Sequence, residues 1–191
     1  MNKTLKKVIL TAMLLSSPLA AEITDYPLIG LEAGFSNLDY EQIESGVTTE
    51  KETISLTHFG LKVGAEIDNY RTFLSTRVFD APEFNYARTY GIEVQYMFHL
   101  SKDKDMFIGI NAGTVDMEFN DQGSTNTVTL DSTYMGGDIG FNLHLSDGVD
   151  FEIGARIMSL NSSESESTSK YDFDNIVTGY ASIIIKLPME L

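Results

Sequence analysis

The sequence predicts an all-β fold, an eight-stranded antiparallel up-and-down transmembrane β-barrel. Three observations predict it. Eight segments of roughly ten residues alternate apolar with polar side chains, which is the period of a strand and the length a tilted strand needs to cross a bilayer. The connections between them alternate short and long, as the two ends of such a barrel require. Glycine collects on the polar face of the segments, where a solvated strand surface would rarely use it.

The chain divides into residues 1–21 and residues 22–191. The first part reads as a secretory signal peptide, with Lys3, Lys6 and Lys7 as its positive region and Val8 to Leu15 as its apolar region. Ser16 to Ala21 is a small, turn-prone stretch, with cleavage expected after Ala20 or Ala21. Val8 to Ala21 is too short for a spanning helix, which needs about 20 apolar residues. Residues 22–191 form one barrel domain.

Within that domain the segments follow in order. Leu28 to Asn37 sets Ile29, Leu31, Ala33 and Phe35 against Gly30, Glu32, Gly34 and Ser36. Thr57 to Glu66 sets Phe59, Leu61, Val63 and Ala65 against His58, Gly60, Lys62, Gly64 and Glu66. Tyr70 to Phe79 is the least regular, with Tyr70, Thr72, Leu74, Thr76 and Val78 opposite Arg71, Phe73, Ser75 and Arg77. Tyr90 to His99 places Ile92, Val94 and Tyr96 opposite Gly91, Glu93 and Gln95. Met106 to Val115 places Ile108, Ile110 and Ala112 opposite Gly109, Asn111 and Gly113. Tyr134 to Leu145 places Ile139, Phe141 and Leu143 opposite Asp138, Gly140 and Asn142. Val149 to Leu160 places Ile153, Ala155 and Ile157 opposite Glu152, Gly154 and Arg156. Val177 to Leu187 alternates likewise, with Ile184 as its exception.

Short links fall at Asp68-Asn69, Ser101 to Asp105, and Ser146 to Gly148. Longer polar links fall at Leu38 to Leu56, Asp80 to Arg88, Asp116 to Thr133, and Asn161 to Ile176. These are expected to be solvated, mobile loops at one end, acidic through Asp39, Glu41, Glu44, Glu50, Glu52, Glu164, Glu166, Asp172 and Asp174. Weak divalent-cation binding there is the functional alternative.

An eight-stranded barrel is only wide enough to be filled by side chains, so small residues on the inner face make room for large charged ones. The charged lumen candidates are Glu32, Lys62, Glu66, Arg71, Arg77, Glu93, Asp138, Glu152, Arg156 and Lys186. Buried charges persist only when paired, so a lumen salt-bridge network is expected, either as a structural plug or as a gate. Phe35, Tyr70, Tyr90, Phe98, Phe141 and Phe151 are placed at the ends of the outward face as interfacial girdles.

Composition narrows the function. A net charge of -15 argues against nucleic acid as a partner. Removing Lys3, Lys6 and Lys7 leaves 10 basic against 28 acidic residues, near -18. Without cysteine there is no disulfide, thiolate metal site or cysteine nucleophile. No phosphate loop, zinc-protease helix or nucleophile elbow is present, so no cofactor or metal is expected. His99 and His144 are placed close to the short turns, where they are read as hydrogen-bonded structural residues rather than metal ligands. Ser55 and His58 are the residues a lipid-modifying enzyme would use, and a soluble barrel enclosing an apolar ligand is the other alternative.

The signal peptide, the eight alternating segments, the turn–loop asymmetry and glycine-rich strands such as Leu31-Glu32-Ala33-Gly34-Phe35 resemble the small eight-stranded outer-membrane barrels of Gram-negative bacteria, the OmpA transmembrane domain and OmpX-like group. The resemblance covers roughly residues 26–191. It implies residence in the bacterial outer membrane, short periplasmic turns, long surface loops and a monomeric barrel. It implies outer-membrane lipid, lipopolysaccharide and the barrel-insertion machinery as partners. It further implies a non-enzymatic role in envelope structure, surface interaction or limited small-solute passage. Such barrels end on an aromatic residue read during insertion, whereas this chain ends Met189-Glu190-Leu191. The insertion signal is therefore expected either to lie within Tyr180 to Leu187 or to depart from the usual one.

Overall fold

The computed structural model describes residues 26–44, 47–82, 84–120, 127–166 and 169–187. The signal-peptide reading lies outside the described residues. Eight strands run β1 Tyr26–Glu44, β2 Val47–Ile67, β3 Tyr70–Asp80, β4 Phe84–Ser101, β5 Lys104–Asn120, β6 Thr127–Ser146, β7 Val149–Glu166 and β8 Ser169–Lys186. Each pairs antiparallel with the next, and β8 pairs back onto β1 to close the barrel. In the belt nearest the short turns closure gives every strand a partner on both sides, the condition for placing strands in lipid.

Short turns join β2 to β3, β4 to β5 and β6 to β7 at one end. In the first, Asp68 takes the left-handed conformation (φ 51°) that a tight hairpin demands and that aspartate tolerates. The far end corrects the expectation that the long links are loops. β1 and β2 pair from Leu38↔Ile54 to Glu44↔Val47, β5 and β6 to Asn120↔Thr127, and β7 and β8 to Glu166↔Ser169. Most of the polar links are therefore strand, because hairpin hydrogen bonding continues beyond the point where an apolar outer face is required.

Burial shows where that point lies. On β1 the outward Ile29, Leu31, Ala33 and Phe35 give way to Asn37 and Asp39, while the inward Glu32, Gly34 and Ser36 give way to Leu38. On β2 the outward Phe59 gives way to Thr57 and Ser55, and the inward Lys62 and His58 give way to Leu56 and Ile54. The outward exchange recurs between Val78 and Asp80, Tyr90 and Arg88, Ala112 and Thr114, Met135 and Thr133, Ile157 and Ser159, and Val177 and Asn175. One belt is thus apolar outside and polar inside. Above it stands a collar built the other way round.

The collar has a hydrophobic core of its own. Leu38, Leu56, Phe79, Val115, Met117, Leu130, Met158 and Ile176 belong to one buried cluster, with Leu38 and Val115 fully enclosed. In the belt the exposed residues are apolar: Phe35 and Phe59 are each 74% exposed. No aqueous surface would favour such a band, so it marks contact with lipid. Aromatics mark both margins. Phe35, Phe59 and Tyr90 lie below the collar, and Tyr70, Tyr96, Phe98 and Phe141 lie toward the short turns. Tyr96 packs edge-on against Tyr70 at 5.1 Å and against Phe98 at 4.8 Å. Phe151 is half-buried at the same end. Ile184, the exception in the eighth segment, faces inward and packs with Leu28 and Phe73.

Leu38→Ala is expected to destabilise the barrel by about 2–5 kcal/mol, as a core truncation does. The adjacent, outward Asn37→Ala should cost about 0.5 kcal/mol or less. Urea titrations of the barrel refolded into detergent check the order, and equal costs would show that the collar has no packed interior.

Candidate functional site: the ionic lumen

Glu32 of β1 is the hub of the lumen. Its Oε1 accepts hydrogen bonds from Arg77 Nε at 2.6 Å and Arg156 Nη1 at 2.9 Å, and Lys62 Nζ lies 2.9 Å from Oε2. Glu93 of β4 accepts from Arg77 Nη2, and from Arg156 Nη2 at 3.1 Å. Glu152 of β7 accepts from Lys62 Nζ at 2.9 Å. Three carboxylates and three cations, all nearly excluded from solvent, thereby join strands β1, β2, β3, β4 and β7 across the barrel. The Tyr180 ring completes the packing, with Arg156 stacked 4.4 Å from its centroid and Lys62 at 4.8 Å.

His58 extends the hub upward. Its Nε2 lies 3.1 Å from Glu32 Oε1 and its Nδ1 lies 3.3 Å from Ser36 Oγ, which is 2.8 Å from Thr178 Oγ1. A chain with Thr178 donating to Ser36, Ser36 to Nδ1, and Nε2–H to Glu32 satisfies all of them. Serine, histidine and glutamate therefore meet in sequence, but each is buried and the carboxylate is already held by three cations. Ser55 does not meet His58: it is exposed on the opposite face and donates to Asn37 at 3.1 Å. Residues three apart on a strand face opposite sides.

A second cluster closes the short-turn end. Arg71 donates to Glu66 at 2.6 Å, Asp150 at 2.5 Å and Asn142 at 3.0 Å. Lys186 lies 3.2 Å from Glu66 and 3.4 Å from Asp150. His144 bridges Asp150 at 2.8 Å and Asp105 at 3.0 Å, and Asp105 also meets His99 at 2.8 Å. Among the described residues, no three of these side chains are arranged to hold a metal ion.

The charged lumen candidates therefore divide. Glu32, Lys62, Arg77, Glu93, Glu152 and Arg156 meet in the hub, while Glu66, Arg71 and Lys186 meet below it. Asp138 joins neither. Its carboxylate lines the lumen and, among the described residues, accepts only from Gln95 Nε2, at 3.0 Å. Its cross-strand neighbour Arg156 turns instead to Glu32 on β1 and Glu93 on β4. Asp105 and Asp150 were not singled out from the sequence, although Asp150 shares the parity of Glu152 and so shares its face.

No protein-family model matches the sequence, and no curated protein matches it. Solved structures do match the fold. One is Neisserial surface protein A, with a TM-score of 0.59 at 13% identity over 83% of this chain and 97% of that one. Another is the outer membrane protein OprG from Pseudomonas aeruginosa, with a TM-score of 0.56 at 13% identity over 82% of this chain and 95% of that one. The closed eight-stranded wall, the lipid-facing belt and the side-chain-filled lumen define a β-barrel of the outer-membrane class. Within that class this chain has the architecture of the small eight-stranded barrels, with its short turns at one end and its collar at the other.

Glu32→Gln is expected to destabilise the barrel by about 3–5 kcal/mol, because the hub then holds three cations against two carboxylates. Glu152→Gln should cost less, since Lys62 keeps Glu32 at 2.9 Å. Urea midpoints in lipid vesicles decide it, and equal losses would remove Glu32 from its place as hub.

Proposed function

We propose that this protein is a closed, non-catalytic barrel of the bacterial outer membrane whose work is done at its surface, by the collar rather than by passage through the lumen. The observation that carries this reading is the collar's apolar interior. Leu38, Phe79, Val115, Leu130, Met158 and Ile176 fill the barrel between the ionic hub and the outer end. Ions do not cross a packed apolar layer of this kind, and the cross-linked hub lies beneath it.

The collar's outer face carries Asp39, Asp80, Asp116, Glu118, Asp131 and Asp174, with Arg88 paired to Asp116 at 2.6 Å. An acidic wall at this height suits contact with anionic lipopolysaccharide through bridging divalent cations. The barrel acts as a monomer, taken up by the insertion machinery that serves this class.

In planar bilayers the purified barrel is expected to show no stable single-channel conductance. Steady current steps from the wild-type protein would overturn the closed-barrel reading. In vesicles containing lipopolysaccharide, calcium should raise the unfolding temperature and a chelator should reverse the rise. An unchanged temperature would remove the lipopolysaccharide contact.

A further inference from the structure

Among the described residues every carboxylate of the two lumen clusters meets a lysine, an arginine or, for Asp105, the histidines His99 and His144, and Asp138 does not. The hub holds three carboxylates and three cations, and Glu66 and Asp150 meet Arg71 and Lys186 below it. Asp138 is 4% exposed on β6 and makes no ion pair among the described residues. Its Oδ2 accepts from Gln95, while Oδ1 has no partner. A buried carboxylate left in this way is costly unless a positive charge or further donors reach it.

The surrounding wall is rich in unused oxygens. Gln95 Oε1, on β4, is buried without a partner. Asn111, on β5, is 2% exposed, and neither polar atom of its amide has a partner. In the sheet Gln95 pairs with Gly109, which pairs with Asp138, and Asn111 pairs with Gly136, two residues before Asp138. The three side chains therefore share one patch of the inner wall. Glycine leaves them room. A Cβ at Gly109 would stand 2.6 Å from Asp138 Oδ1, and one at Gly136 would stand 3.1 Å from Asn111 Oδ1.

We propose that Asp138, Gln95 and Asn111 form a binding site for one alkali-metal cation inside the barrel. The donors are a carboxylate and two amide oxygens, the hard ligands that suit alkali-metal cations. One unbalanced negative charge matches one monovalent ion. A divalent ion would leave an excess positive charge beside Arg156. The ion would hold β4, β5 and β6 together on the side of the barrel where the hub makes fewest contacts. This site is independent of whether the barrel conducts.

The test uses the whole barrel, refolded from urea into detergent so that the ion enters during closure. Unfolding is followed in sodium, potassium or choline chloride at equal ionic strength, and crystals grown with thallium(I) are examined for anomalous density. The wild type should resist unfolding better in the alkali salts, with a thallium peak at coordination distance from Asp138 Oδ1. Asp138→Asn should abolish both effects. Asn111→Ser keeps the carboxylate, covers the case in which the first variant does not fold, and should weaken the apparent affinity by on the order of tenfold, or about 1.4 kcal/mol. Wild-type crystals without thallium density at Asp138 overturn the proposal whatever the salt dependence. Such a result assigns the carboxylate to a proton, or to a water bridging it to the unpartnered Arg156 Nε.

Discussion

A strand that leaves lipid for water must exchange its apolar face, and the architecture of this barrel follows from that constraint. In the belt the outer surface has to be apolar and the inner surface takes whatever polar groups can satisfy one another. Above it the outer surface meets water, so burial of apolar groups drives side chains inward instead. The exchange occurs on all eight strands at one level, from Phe35 and Asn37 on β1 to Val177 and Asn175 on β8. The wall is continuous across that level because backbone pairing is indifferent to which face is apolar.

Two kinds of interior are thereby stacked in one barrel. The collar is held by packing, with Leu38 and Val115 enclosed as in any soluble core. The belt is held by charge. Six ionic groups there lose their hydration, and only a cross-linked arrangement about Glu32 offsets that loss. Arg77 and Arg156 each bridge Glu32 and Glu93, so no pair in the hub stands alone. Together the two layers make a barrel that is filled rather than hollow.

Much of this was legible in the residues. Alternation identified all eight strands and put Glu32, Lys62, Arg77, Glu93, Glu152 and Arg156 on one face, because a two-residue period needs no knowledge of neighbouring strands. The same rule hid the collar. Leu38, Leu56 and Val115 have the parity of the polar face, so they read as loop residues or as the ends of strands. Asp150 shares the parity of Glu152 and so its inward face was legible too, but its partners Arg71 and His144 come from other strands.

The sequence by itself determined the strand count, the hairpin order and which side chains share the lumen, since these depend on local period and turn spacing. Only the tertiary structure decided which charges meet. Arg156 lies opposite Asp138 in the sheet yet reaches across to Glu32 and Glu93, because a long guanidinium side chain can span a narrow lumen and find a partner on the far wall. Partner choice inside a closed barrel depends on curvature and register summed over all its strands, and no stretch of sequence contains that sum.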